Sequence, residues 1–215
     1  MRAAIRALFL LALPGVLVAQ APATPDARTL GWQVRPDRDN GSLATLSFVE
    51  MKPGFHVTTN RFSGIMYHPA TTANGNYTAS MTVHFFKPLS DHQEAYGLFV
   101  GGSNLASAEQ GYTYFVIRNS GEFLIRRRTG TTTVDILPWT KAAAILVRPA
   151  DADESTTAKN VLAVTTTRDS VQFLVNGTVV ATRPRSEIAA DGVVGMRINH
   201  MLNLHITEIA VKAGT

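Results

Sequence analysis

Thr78-Ala79-Ser80-Met81-Thr82-Val83-His84-Phe85-Phe86 puts apolar side chains at 79, 81, 83 and 85 and polar ones at 78, 80, 82 and 84. An extended chain sends alternate side chains to opposite faces, so this stretch predicts a strand with one buried and one wetter face. The same period returns at Val171, Phe173 and Val175, followed by Asn176-Gly177 and then Val179 and Val180. Asn-Gly accepts positive φ at both central positions of a type I′ turn, so this is a hairpin. A second hairpin runs from Tyr112 to Arg118, turns at Asn119-Ser120-Gly121, and returns from Glu122 to Arg127.

Further strands are predicted at 42–50, 54–58, 63–67, 94–101, 131–136, 143–148, 160–167, 192–198 and 203–211. Only Ser103 to Gln110 suits a helical turn or two. Many short strands divided by turn residues, with almost no helical stripe, mean an all-β sandwich or barrel. The pattern shows no fixed-period repeat and no composition shift, so residues 29–215 read as one domain.

The start of the chain is different. Arg2 and Arg6 precede an apolar run from Ala7 to Leu13 that resumes at Val16, with small residues at Ala19 and Ala21. This is the pattern of a secretory signal peptide, residues 1–19, cut near Ala19, since a cut after Ala21 would meet Pro22. The run is too short for a spanning helix, so no stable membrane insertion is expected, and the protein is expected to be secreted or periplasmic. Residues 20–28 read as a flexible spacer.

Cysteine is absent from the 215 residues, which excludes disulfides, thiolate metal sites, a cysteine nucleophile and a lipid anchor on cysteine. Removing the signal segment takes Arg2 and Arg6 with it and reduces the formal charge from +4 to +2. The one basic cluster, Arg126-Arg127-Arg128, sits in a strand without the broad basic stripe that nucleic acid requires. Nucleic acid is therefore not an expected partner.

Four stretches together resemble the closing strands of concanavalin A-like jelly rolls: Asn160-Val161-Leu162-Ala163-Val164, Ser170 to Gly177, Gly192-Val193-Val194-Gly195-Met196-Arg197, and Leu204 to Val211. The segment Tyr96 to Gly102 followed by Tyr112 to Arg118 is similar to that superfamily's central strands. The resemblance covers roughly residues 30–213 and implies a two-sheet jelly roll, an architecture shared by lectins, glycanases and adhesive modules. Gly192 to His200 also resembles the terminal strand of secreted, LamG-like 3-ketodisaccharide hydrolase domains. His200 stands one position later than that family's histidine, and Arg197 replaces its glutamine. The resemblance implies a glycoside-active site in which His200 works with a carboxylate such as Glu94.

The residues themselves narrow the chemistry. Laminarinase-type glycanases place alternate carboxylates on one strand face as nucleophile and acid, and no E-x-D-x-E triplet occurs here. There is no nucleophile elbow and no H-x-H or H-E-x-x-H pair among the six histidines. No resident cofactor is expected; the Asp151, Asp153 and Glu154 loop is the one stretch that offers clustered carboxylates to calcium. His200, at a strand end between Asn199 and Asn203, suits sugar hydroxyls or proton transfer. His205 is a further candidate. Tyr112 and Tyr114 share a strand face near Arg126 and Arg128, which would make a stacking and hydrogen-bonding platform, and Trp139 would extend it.

Three functions fit this inventory: a glycan-binding or cell-surface module, a glycoside-active enzyme, and a structural protein-interaction sandwich. The missing glycanase carboxylates favour the first, with a carbohydrate as partner. Oligomeric state has no sequence signal.

Overall fold

The computed structural model describes residues 24–38 and 42–214; the signal segment and its cut near Ala19 lie outside them. Fourteen strands are found among the described residues, in two antiparallel sheets of seven. The front sheet contains β1 (Gln33–Pro36), β4 (Gly64–Ala73), β13 (Gly192–Ile198), β6 (Ala95–Ser103), β7 (Gly111–Arg118), β8 (Glu122–Thr129) and β9 (Thr132–Lys141), in that spatial order. The back sheet contains β12 (Thr178–Pro184), β11 (Ser170–Val175), β10 (Ala158–Thr166), β5 (Tyr77–Phe85), β14 (Asn203–Ala213), β3 (Phe55–Thr59) and β2 (Leu46–Glu50). This is a jelly-roll sandwich with very little helix.

Period two explains how the sheets meet. In β5 the residues Ala79, Met81, Val83 and Phe85 are buried, while Thr78, Ser80, Thr82 and His84 are half-buried on the opposite face. Met81 pairs with Leu162 of β10 and Ile209 of β14. Front-sheet residues meet this layer across the core: the Tyr96 and Phe85 rings stack at 5.5 Å, and Phe115 meets Phe173 edge-on at 5.4 Å. Burying side chains of this size contributes roughly 1.5–3 kcal/mol each, so the core rather than the ladders drives association of the sheets. Trp32 packs on Phe48 and Phe55 at one margin.

The front sheet carries a second, smaller apolar cluster, formed by Ile65, Tyr67, Phe99, Leu105, Tyr112, Tyr114, Val116 and Leu124. The parity of β7 divides it: Phe115 and Ile117 enter the inter-sheet core, and Tyr112, Tyr114 and Val116 enter the second cluster. Asn176 and Gly177 have φ of 50° and 80°, as the hairpin turn requires.

Several segments depart from expectation. Gln33–Pro36 is a strand outside the expected set, Ser42–Thr45 is a 3-10 turn rather than the start of a strand, and residues 104–110 form turns without a helix. Residues 143–148 form no strand, because side chains occupy their backbone: Asn160 accepts from the Leu146 N–H and donates to the Leu146 carbonyl, both at 2.9 Å, and Asn119 accepts from the Arg148 N–H at 2.8 Å. The described part of the supposed spacer is docked rather than free. Pro25 accepts from the Glu50 N–H at 2.8 Å, Asp26 bridges to Val49, and Ala27 is fully buried.

Candidate functional site

Register brings four connections to one end of the sandwich. Pro36 pairs with Gly64, Gly64 with Ile198, and Ile198 with Tyr96, so the segments beside them converge. They are residue 37 after β1, residues 60–63 before β4, residues 86–94 before β6, and residues 199–202 after β13. Backbone hydrogen bonds fasten them. Asp37 N–H donates to Ser63 O at 2.8 Å, Asn199 N–H to Ala95 O at 3.0 Å, and Leu89 N–H to Met201 O at 3.0 Å.

Between them lies a cleft of about 340 Å³, lined among others by Asp37, Arg61, Ser63, Glu94, Arg197, Asn199 and His200. Its floor is an ion cluster. Asp37 Oδ1 accepts from Arg197 Nη1 and Arg128 Nη1, each at 2.7 Å, and Oδ2 accepts from Arg197 Nη2 at 2.6 Å. Arg197 Nη2 also reaches Asn199 Oδ1 at 3.2 Å, and its guanidinium lies 5.5 Å from the centre of the Tyr114 ring. Burial opposes the Arg197 charge, but the hydrogen bonds and charge of Asp37 outweigh it and hold the guanidinium well above the ordinary arginine range. This cluster is a fixed, charged floor.

The wall is His200. Its Nε2 lies 3.2 Å from Glu94 Oε1, and its Nδ1 lies 3.4 Å from Ser63 Oγ. The His92 ring stands edge-on to it at 6.4 Å. Glu94 side-chain exposure is 15% against 40% for His200, so the carboxylate is the inner member and the imidazole faces the opening. The pair can exchange a proton or hold sugar hydroxyls.

Of the residues singled out in the sequence, Glu94, Asn199 and His200 meet in this cleft. Arg128 reaches it only through Asp37. Tyr112 and Tyr114 do not form an open platform: they are 2% and 6% exposed, and they pack beneath the Asp37 cluster. Burial pushes the Tyr112 hydroxyl pKa up. Arg126 pairs with Asp135, and Trp139 lies under Arg118, whose guanidinium is 4.2 Å from the ring centre. Both are therefore engaged on the β8–β9 side of the front sheet. His205 belongs to the back sheet, where it is the cross-strand neighbour of His56 and His84.

The acidic loop is organised around a guanidinium. Arg148, only 4% exposed, donates to the carbonyls of Pro149, Ala152, Asp153 and Thr156 at 2.7–3.1 Å. Glu154 pairs with Lys87 at 3.2 Å, and the loop's carboxylates do not converge as a ligand group.

Sequence reasoning missed Asp37, Arg61, Ser63 and His92. Each is an ordinary polar residue in a connection, and only the strand register brings them together. Larger depressions of about 510 and 530 Å³ lie beside Val134 and Ile136 and beside Tyr67, Leu105 and Val193. They gather fewer convergent polar groups.

No family model matches the chain, and no curated protein matches it. Solved structures do share its fold. A carbohydrate-binding module, CBM66, from Bacillus subtilis is similar with a TM-score of 0.60 and 9% identity, covering 85% of this chain and 96% of that one. A Bacillus subtilis protein of unknown function with a galectin-like fold gives 0.59 and 12%, covering 89% and 93%. A Bacteroides ovatus mixed-linkage glucan GH16 protein in complex with a G4G4G3G product gives 0.55 and 9%, covering 84% and 94%. The chain shares their jelly-roll fold.

Proposed function

We propose that the protein is a secreted or periplasmic glycan-binding module whose ligand enters the cleft between Asp37 and His200. The carrying observation is the convergence of Arg61, Ser63, Glu94, Asn199 and His200 above a floor held rigid by Asp37 and Arg197. A sugar presents both donors and acceptors, and this lining offers guanidinium, hydroxyl, amide, carboxylate and imidazole partners over a short span. The fold supports the reading, because a carbohydrate-binding module and a glucan-bound GH16 protein share it.

The test is calorimetric titration with a panel of neutral and acidic oligosaccharides. Asn199→Ala and His200→Ala are each expected to weaken binding by about 1–3 kcal/mol, the cost of a lost polar contact, with the melting temperature unchanged in His200→Ala and slightly lowered in Asn199→Ala, which also loses its contact with Arg197. A folded protein that binds no member of the panel, or variants that bind like the parent, would overturn it. Amino-terminal sequencing of the exported protein tests the compartment, with Gln20 as the expected first residue.

One observation favours a second reading, a glycoside-active enzyme of the 3-ketodisaccharide hydrolase type. His200 Nε2 and Glu94 Oε1 stand at 3.2 Å, within reach for proton transfer. In that case His200→Ala lowers turnover of 3-keto glycosides by ~10²–10⁴. If the parent protein releases no sugar, this second reading fails.

A further inference from the structure

Between the cleft and an adjoining depression lined by His92 and His200 lies a ligand set that glycan binding does not require. His92 and Glu94, on the β5–β6 connection, and His200, on the β13–β14 turn, each offer one ligand atom, all within 4.8 Å of one another. Two imidazoles and a carboxylate are the donors that zinc and its neighbours in the first transition row prefer.

The separation of Glu94 and His200 agrees with such an ion. Ligands about 2.0–2.2 Å from a tetrahedral zinc lie roughly 3.3–3.5 Å from each other. Glu94 Oε1 and His200 Nε2 are 3.2 Å apart. A metal-bound imidazole needs an outer partner on its second nitrogen, and Ser63 Oγ stands 3.4 Å from His200 Nδ1 to accept that N–H. The backbone holds both ligand-bearing segments together, since Ala95, next to Glu94, accepts from Asn199, next to His200, at 3.0 Å. His92 is exposed, so its ring can turn onto the ion without disturbing packing.

The other histidine cluster lacks these features. The rings of His56 and His84 each lie about 6 Å from that of His205, and no carboxylate completes a ligand group there among the described residues.

We infer that His92, Glu94 and His200 bind a divalent transition-metal ion of the zinc type. Three protein ligands leave a further position for water or a ligand oxygen. The inference shares Glu94 and His200 with the glycan cleft but rests on its own geometry.

The experiment is calorimetric titration of chelator-treated protein with zinc chloride, and with cobalt chloride followed by visible absorption. One ion per chain is expected, with an absorption characteristic of low-coordinate cobalt. His92→Ala, Glu94→Gln and His200→Ala should each weaken binding by about 100-fold or more, and Ser63→Ala by about tenfold, as an outer partner does. His205→Ala should leave the affinity unchanged. Circular dichroism checks that each variant is folded, and the exposed His92 keeps the test sharp if another variant is not. Absence of binding by the parent protein, parental affinity in His92→Ala, or binding that follows His205 instead would each overturn the inference. Metal titration without glycan tests this site alone, and glycan titration into chelator-treated protein tests the glycan reading alone.

Discussion

Asp37 grips Arg197 with both carboxylate oxygens, at 2.7 and 2.6 Å, across 160 residues of sequence, and shares one of those oxygens with Arg128. The two guanidinium side chains are only about a tenth exposed. Removing the carboxylate would leave two cations over Tyr112 and Tyr114 with no counter-charge. Breaking a buried pair from one side costs roughly 3–5 kcal/mol, and Asp37, a quarter exposed, belongs at the lower end of that range. Asp37→Ala is therefore expected to lower the unfolding free energy by about 3 kcal/mol in urea titration. Adding Arg197→Met should restore part of it; a double variant no better than the single one would refute the account.

The Asn176-Gly177 turn makes a separate prediction. A Cβ at Gly177 would meet nothing within 4 Å, so the cost of a side chain there comes from the backbone φ of 80° alone. Gly177→Val should lose about 1–3 kcal/mol, and Gly177→Asn considerably less, because asparagine tolerates that region. Equal melting temperatures for the two variants would contradict the turn geometry.

Arg148 predicts a local effect. Its guanidinium holds the carbonyls of residues 149–156 in place, and an ammonium cannot reach four of them in one plane. Arg148→Lys should cost about 1.5–3 kcal/mol, and limited proteolysis should then cut between Asp151 and Lys159 before any other site. Uniform cleavage along the chain would argue against a loop-specific role.

The back-sheet histidines predict the pH dependence. His56 and His84 are both held below the ordinary histidine range, chiefly by burial, with His205 adding to each and Lys159 to His84. The unfolded chain then binds protons that the native one refuses. Stability should fall as pH drops through about 6.5 toward the native values, and be insensitive to these groups above neutrality. Thermal melts between about pH 5 and 8 measure this. Replacing both His56 and His84 by Gln removes the titrating groups and should flatten the slope; an unchanged slope would assign it to other groups.

The strand pattern was legible because period two is local. Alternation in Thr78 to Phe85 fixes which side of β5 faces the core, and the parity of Tyr112 and Phe115 separates two faces of β7. The burial of the tyrosine face was not legible, since Asp37 and Arg197 cover it from segments distant in sequence. Residues 143–148 carry the composition of a strand, but the Asn160, Asn119 and Asn176 side chains, placed by tertiary structure, take up backbone hydrogen bonds there. Glu94 and His200 could be named from residue type and resemblance. His92 could not, because a histidine two residues before a glutamate acquires meaning only when His200 arrives from another turn.

The place of β14 bears on how the protein is made. This strand lies inside the back sheet, between β5 and β3, so Leu204 must pair with both Phe85 and Val57. Until Asn203 to Ala213 has been synthesised, β5 and β3 have no partner between them, and the sheet is split into two incomplete ribbons. The cooperative unit therefore cannot close until β14 has left the ribosome, and such non-local pairing is slow to form. A nascent chain kept open in this way exposes unpaired strand edges that need shielding until β14 arrives.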